Sequence, residues 1–159
     1  MSSRLPTLGP RGEGWVVLQS ILLAGVLLAG LEGGAWSGAV RMVTSLIGIA
    51  LILAGVGLAA RGALDLGSGL TPLPRPGANA RLVESGAYAL ARHPIYGGIV
   101  IAAFGWGLLT ASPLALGGAA VTLVFFDLKS RREEAWLDER FEGYRSYRAR
   151  TRRLIPWLY

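Results

Sequence analysis

Three long stretches of the sequence contain no charged residue: 14–31, 42–60 and 95–126. A helix needs about 20 apolar residues, with a range of roughly 17–25, to cross the hydrocarbon core of a bilayer. Charged residues make up 16% of the chain, whereas about a quarter is usual in soluble domains. The pattern predicts a single all-α integral membrane domain over residues 1–159. It excludes an ordinary soluble domain, a disordered chain and a nucleic-acid-binding module.

The third stretch has 32 residues and is too long for one span. Thr110, Ser112 and Pro113 lie in its middle, and a proline ends a helix at or near the preceding residue. We therefore expect a short antiparallel hairpin. Each of its spans is at the lower limit of length, so we expect either local thinning of the bilayer or extension into 127–132. The first stretch exceeds the usual apolar region of a signal peptide, so we expect it to be retained. The predicted bundle has four spans, at 15–31, 42–60, 96–111 and 113–126.

Basic residues are concentrated in three segments outside the spans. Residues 1–14 contain two Lys or Arg, the loop 61–94 contains four and the tail 127–159 contains nine, whereas 32–41 contains one and 110–113 none. Four spans place the three basic segments on one side, which the positive-inside rule assigns to the cytoplasm. We expect a bacterial or archaeal inner-membrane protein with both termini cytoplasmic. The net charge of +6 then reflects topology and attraction to anionic lipid rather than nucleic-acid binding.

Local patterns refine this picture. Gly48, Gly55 and Ala59 in the second span predict close helix packing. Aromatic and leucine residues at three- and four-residue intervals predict an amphipathic helix over 129–148, broken near Gly143, on the cytoplasmic face. The chain has no cysteine and one histidine, His93, which excludes disulfides, thiolate metal sites, a cysteine nucleophile and a multi-histidine metal centre. No metal is expected.

Two clusters on the basic side carry candidate chemistry. Arg92-His93-Pro94 stands at the mouth of the third span, where proline suits the first helical position and the helix N-terminus suits a carboxylate or phosphate. Gly97-Gly98 one turn later is expected to let a ligand approach the backbone. The alternative is that Tyr88 and Arg92 only anchor the span at the headgroups.

The second cluster is Arg131-Arg132-Glu133-Glu134, just beyond the fourth span. A carboxylate there could hold a ribose diol, an amino group or a sulfonium-bearing cofactor. The alternative is a solvated helix face with local ion pairs. Because both clusters lie on the same side, they suggest one site between the third span, the fourth span and the tail.

A series of motifs in order resembles a known family. Gly-x-Tyr-x-x-x-Arg-His-Pro-x-Tyr-x-Gly is followed by the hairpin, Glu-Glu-x-x-Leu-x-x-x-Phe, Tyr-x-x-Tyr and Arg-x-Ile-Pro. Together they resemble the isoprenylcysteine carboxyl methyltransferases and their phospholipid methyltransferase relatives, over 81–156. The resemblance implies a membrane-embedded methyltransferase that uses S-adenosylmethionine and releases S-adenosylhomocysteine. The segment from Phe141 to Tyr144 is one residue shorter than the family pattern, and the N-terminal half has no matching motif.

Site residues follow from the resemblance by position. It implies catalytic roles for Arg92, His93 and Glu133. Lys129 matches a substrate-contacting basic residue, a role that Arg131 or Arg132 could also take. The cofactor contacts that it implies are Arg81, Leu82 and Val83 through their backbone, with Tyr88, His93, Pro94, Ile95, Tyr96, Glu133 and Glu134.

The methyl acceptor is expected to be a lipophilic or small molecule, with the carboxylate of a prenylcysteine-like substrate favoured. A phospholipid amine, a small thiol and an isoprenoid hydroxyl stay open. A carboxylate or thiolate needs no general base, whereas a neutral amine or phenol would need one, with His93 or Glu133 as candidates. Two other classes compete: a membrane NADPH-dependent reductase of the sterol type, and a non-enzymatic membrane partner protein on the same scaffold.

Overall fold

A computed structural model describes residues 5–75 and 81–156. Residues 76–80 of the predicted loop 61–94 and residues 157–159 of the predicted tail lie outside the described residues. Three of the described helices are long and apolar enough to cross a membrane, and the helix at Pro94–Thr110 is apolar and 17 residues long. The expected all-α membrane bundle is confirmed. The helices are α1 (Glu13–Leu31), α2 (Gly38–Leu66), α3 (Ala87–Leu90), α4 (Pro94–Thr110), α5 (Pro113–Arg140) and α6 (Tyr144–Arg150), with a 3₁₀ turn at Gly67–Gly69.

Glycines bring α2 and α4 into close contact, as predicted. A Cβ on Gly48 would lie 2.6 Å from the carbonyl oxygen of Gly105, and one on Gly55 would lie 2.4 Å from that of Gly98. No side chain fits at either crossing, so the two backbones pack directly. The expectation that Gly98 faces a ligand is wrong, because α2 occupies that space.

The turn between α4 and α5 lies where the sequence predicted it. Ala111 ends α4 with a φ of 54°. The Ser112 hydroxyl accepts a hydrogen bond from the Ala115 amide at 3.1 Å and donates one to the Ala29 carbonyl at 2.8 Å. Ser112 therefore caps α5 and ties the hairpin to the end of α1.

Two helices extend beyond their predicted bounds. Helix α2 continues to Leu66, so the first residues of the predicted loop 61–94 are helical. Helix α5 runs without interruption from Pro113 to Arg140, which joins the fourth span and the first part of the tail helix into one rod. No glycine or proline lies between Val121 and Arg140, so nothing in that stretch ends the helix. The predicted break near Gly143 is confirmed by the start of α6 at Tyr144.

After α6 the chain turns back along the segment that precedes α4, and we call residues 151–156 the C-terminal strap. The amides of Arg92 and His93 donate to the carbonyls of Arg152 and Arg153 at 2.8 and 2.9 Å. A Cβ on Gly97 would lie 1.9 Å from the carbonyl oxygen of Leu154. The expectation that Gly97 admits a ligand is therefore wrong, because the strap occupies that position.

The described parts of the three basic segments meet at one end of the bundle. Arg75 donates to the Pro10 carbonyl at 3.0 Å, and the Asp65 carboxylate accepts from the Ala87 amide at 2.7 Å. Gly12 lies beside Pro74 and Trp136. A bundle of four spans requires the N-terminal segment, the loop 61–94 and the C-terminal tail to lie at the same end. Which side of the membrane this end faces stays a prediction.

Candidate functional site

A cavity of about 360 Å³ lies at the basic end of the bundle. Helix α1, the end of α2 and the chain after it line one side of the cavity. The segment 81–83, α3, the residues before α4, and helices α4, α5 and α6 line the rest. Its volume falls within the range of about 300–1,000 Å³ that is usual for small-molecule sites. The cavity is lined by Gln19, Leu66, Leu70, Thr71, Pro72, Arg81, Leu82, Val83, Tyr88, Arg92, His93, Ile95, Tyr96, Ile99, Lys129, Glu133, Leu137, Tyr144 and Tyr147.

A carboxylate and two rings form the polar centre of the cavity. The Tyr96 hydroxyl donates to Oε2 of Glu133 at 2.8 Å, and Nδ1 of His93 lies 3.8 Å from the same oxygen. The His93 and Tyr96 rings are stacked, with centroids 5.4 Å apart and planes 2° from parallel. Pro94 begins α4, so His93 occupies the capping position and faces α5. Glu133 is thereby held in place while its side chain stays 23% exposed.

The neighbouring carboxylate has a different environment. Glu134 is 3% exposed, and its Oε1 lies 2.7 Å from Nε of Arg92 and 3.4 Å from Nε2 of His93. Arg92 also donates to the carbonyls of Arg148 and Thr151. Glu134 does not lie on a solvated helix face with local ion pairs, because it is buried and its ion pair with Arg92 joins α5 to the segment before α4.

The only lysine of the sequence is buried in this cavity. Lys129 is 0% exposed, and its Nζ donates to Oε1 of Gln19 at 2.5 Å and to the Pro72 carbonyl at 3.3 Å. It also lies 4.9 Å from the centroid of the Tyr96 ring. Within the described residues Lys129 forms no ion pair with a carboxylate. A buried cation whose hydrogen-bond partners are all neutral favours an anionic ligand.

Three tyrosines close the cavity on the side of α3 and α6. The Tyr147 hydroxyl donates to the Tyr88 carbonyl at 2.6 Å. The Tyr144 hydroxyl is buried and has no hydrogen-bond partner among the residues that the structure describes. Burial raises the pKa of Tyr88, Tyr144 and Tyr147 above the ordinary phenol value, so all three stay neutral at physiological pH.

Most residues that the resemblance selected line the cavity, and four do not: Pro94, Arg131, Arg132 and Glu134. Pro94 packs against Gly62, Glu134 pairs with Arg92, and the Arg132 guanidinium lies 4.1 Å from the Trp136 ring centroid. Lys129, rather than Arg132, reaches the cavity. The residues in place are Arg81, Leu82, Val83, Tyr88, Arg92, His93, Ile95, Tyr96, Lys129 and Glu133.

Sequence reasoning missed Gln19. Its signal was present: it is the only amide side chain in the first apolar stretch. A polar side chain inside a span often marks a functional site, because hydrocarbon offers it no partner.

A sequence model described as phospholipid methyltransferase matches residues 43–143. The match runs from within α2 to the break after α5, and so covers well over half of the chain. The chain belongs to the phospholipid methyltransferase family. Membership confirms the resemblance drawn from the motifs. The matched range contains Arg92, His93, Lys129 and Glu133.

One curated relative of this family member is methanethiol S-methyltransferase 1 of Bradyrhizobium diazoefficiens. The two sequences are 38% identical over 71 residues, which cover 44% of this chain and 24% of the relative. The chain therefore matches about a quarter of the relative's length.

The cavity has the groups that a sulfonium nucleoside requires. Glu133 can accept from a ribose diol or an amino group, and the aromatic side chains of Tyr88 and Tyr147 line the same cavity. The buried hydroxyl of Tyr144 leaves a polar atom that a ligand can satisfy. Among the described residues no group of three or more His, Cys, Asp or Glu could hold a metal ion. The donor set fits S-adenosylmethionine.

Proposed function

We propose that this family member is an integral membrane methyltransferase that uses S-adenosylmethionine. The observation that carries the proposal is the convergence of His93, Glu133 and Lys129 on one cavity beside the segment 81–83. A carboxylate for the cofactor and a cation for the acceptor then lie on successive turns of α5. Family membership favours methyl transfer over the reductase and over a non-enzymatic partner protein.

The cofactor is proposed to lie between the segment 81–96 and α5. Glu133, oriented by Tyr96 and His93, holds its ribose or amino group. The backbone of Arg81, Leu82 and Val83 forms the opposite wall. Arg92 and Glu134 act indirectly on the cofactor, because their ion pair fixes the start of α4 against α5.

The acceptor is proposed to present an anion to Lys129. The amide of Gln19 and the Pro72 carbonyl hold the ammonium group at the cavity wall. A carboxylate satisfies this site, which favours a prenylcysteine-like substrate. A thiolate satisfies it equally, and the name of the curated relative makes a small thiol the second candidate.

A second cavity supports a lipophilic acceptor. It has a volume of about 310 Å³, lies among α1, α2 and α4, and shares Ile99 with the 360 Å³ cavity described above, which we call the cofactor cavity. Its lining side chains are apolar apart from the indole N–H of Trp106, which donates to the Leu27 carbonyl. Leu27 and Val56 at its edge are 58% and 55% exposed, so an acyl or prenyl chain can enter from the bilayer.

S-adenosylmethionine, when bound, supplies a methyl group that its sulfonium already activates. The protein therefore contributes position and alignment rather than a nucleophile. Lys129 would hold the acceptor anion at the cavity wall, and a carboxylate or thiolate would need no general base. A neutral amine or phenol would give its proton to Glu133 or His93, which share the hydrogen-bonded centre of the cavity.

Calorimetric titration of S-adenosylhomocysteine into the detergent-solubilised protein tests the proposal. We expect binding that weakens about tenfold or more in His93→Ala and Glu133→Ala. Glu139→Ala, on the exposed face of the same helix, is the matched control and should bind normally. NADPH binding in place of S-adenosylhomocysteine would support the reductase, and binding of neither would support the non-enzymatic protein.

The acceptor class is tested by methyl transfer from labelled S-adenosylmethionine. An N-acetyl-S-prenylcysteine and methanethiol separate the carboxylate from the thiol. Transfer to a phospholipid amine alone would contradict the role proposed for Lys129.

An inner-membrane location with both termini in the cytoplasm is part of the proposal. Because the chain contains no cysteine, single variants Ser37→Cys and Arg75→Cys report topology cleanly. We expect a membrane-impermeant thiol reagent on intact cells to label position 37 only. Labelling of position 75 instead would reverse the orientation.

A further inference from the structure

A third cavity, of about 590 Å³, lies behind the cofactor cavity and is strongly cationic. Apart from Ala149 and Thr151, every residue that lines it is an arginine. No carboxylate lines it within the described part of the chain. We call it the arginine groove, and its basic residues are Arg92, Arg131, Arg148, Arg150, Arg152 and Arg153.

Among the described residues, the carboxylates around the arginine groove are fewer than its guanidinium groups. Glu134 pairs with Arg92 at 2.7 Å, Asp127 lies 2.7 Å from both Arg131 and Arg153, and Glu84 pairs with Arg150. Within that part of the chain, three carboxylates face six guanidinium groups. An excess of positive charge in a concave site attracts an anion.

Two arginines in the groove have guanidinium N–H groups that are available to a ligand. The Arg148 side chain is 53% exposed and lies 3.9 Å from Glu134. The Arg152 side chain is exposed and makes no hydrogen bond or ion pair with any residue that the structure describes. A guanidinium group donates two parallel hydrogen bonds to phosphate oxygens, so this pair suits a phosphate.

The groove lies at the depth of the lipid headgroups. Arg131 is five residues beyond Phe126, the last residue of the apolar stretch, on a continuous helix. At 1.5 Å per residue this places it about 7–8 Å past the hydrocarbon. The headgroup region is roughly 5–8 Å thick on each side of the hydrocarbon core, so a phospholipid can present its phosphate here without leaving the bilayer.

We propose that the arginine groove binds the phosphate of an anionic phospholipid, and that this lipid supports the cofactor cavity. The C-terminal strap connects the arginine groove to the cofactor cavity. Arg152 and Arg153 line the groove with their side chains and hold the amides of Arg92 and His93 with their carbonyls. Lipid that orders the strap also orders the start of α4, and the coupling between lipid and cofactor is reciprocal.

Native mass spectrometry of protein released from nanodiscs tests lipid binding without relying on the proposed function. Nanodiscs of phosphatidylcholine with and without phosphatidylglycerol are compared. We expect the wild type to retain phosphatidylglycerol, and the double variant Arg148→Gln/Arg152→Gln to lose it. Arg140→Gln/Arg145→Gln removes the same charge from the same tail outside the groove, and should retain the lipid.

Titration of S-adenosylhomocysteine in the same nanodiscs tests the coupling. Phosphatidylglycerol should tighten binding about fivefold or more in the wild type and in the control, and not in the groove variant. Inorganic phosphate added to phosphatidylcholine nanodiscs distinguishes the source of the anion, and we expect it to have no effect. An equal response to inorganic phosphate, or equal lipid loss in both double variants, would overturn the lipid site.

Discussion

Nε of Arg92 lies 2.7 Å from Oε1 of Glu134, and the two side chains are 7% and 3% exposed. The pair joins two distant parts of the sequence, the segment before α4 and the C-terminal part of α5. It is flanked by the cofactor cavity on one side and the arginine groove on the other. A buried ion pair in this position sets the geometry of both.

Breaking this pair should be costly, because it leaves one charge buried without its partner. We expect Glu134→Gln or Arg92→Met to lower the free energy of unfolding by about 3–5 kcal/mol. Titration with SDS in mixed micelles measures this. The exposed pair of Arg145 with Asp138 is the control, and Arg145→Gln should cost less than about 1 kcal/mol. Equal losses would contradict a special role for the buried pair.

Gly97→Ala should displace the C-terminal strap. A Cβ at residue 97 would overlap the Leu154 carbonyl oxygen, so we expect a loss of about 1–3 kcal/mol in stability together with weaker S-adenosylhomocysteine binding. Thermal unfolding and calorimetry report the two effects. Gly57→Ala has open space around it and should be neutral or slightly stabilising. Normal cofactor binding in Gly97→Ala would show that the strap does not support the cavity.

Lys129 and Gln19 should affect the acceptor and not the cofactor. We expect Lys129→Met to raise KM for an anionic acceptor about tenfold or more, and Gln19→Leu to raise it about two- to tenfold. S-adenosylhomocysteine affinity should change little in either. Ser20→Ala, at the exposed neighbouring position, serves as the control. A loss of cofactor affinity that matched the rise in KM would place Lys129 at the cofactor instead.

Stability should fall at alkaline pH. Burial raises the pKa of Tyr88, Tyr144 and Tyr147 in the folded protein, whereas an unfolded chain releases phenol protons near pH 10. The folded state then binds more protons than the unfolded state above that pH, so stability present in full below about pH 10 is lost as pH rises further. Unfolding midpoints from pH 8 to 11 should show a shallower decline in Tyr147→Phe than in the wild type. An identical decline would remove Tyr147 from this effect.

The sequence predicted the bundle well because its signals are local. Uncharged stretches predicted the helices, Pro113 predicted the turn, and Gly48 and Gly55 predicted close packing of α2 without identifying α4 as its partner. The same local reasoning placed Gly97 beside a ligand, and failed because the group that fills that space, the Leu154 carbonyl, comes from far along the chain.

The prediction of the site residues depended more on the family motifs than on residue spacing. Motif positions identified His93, Tyr96, Lys129 and Glu133, which the fold brings to one cavity. Gln19 could not be assigned a partner, because the 110 residues that separate it from Lys129 carry no periodic signal linking them.

Because α5 is unbroken, its apolar part and the part that lines the proposed cofactor cavity form one continuous rod. There is no joint between Pro113 and Arg140 at which the two could adjust separately. Whatever sets the tilt and immersion of this rod, including the thickness of the surrounding membrane, also sets the height of Lys129 and Glu133 above the acyl chains. Under the proposed function, membrane thickness would then determine how far an acceptor must rise to reach Lys129.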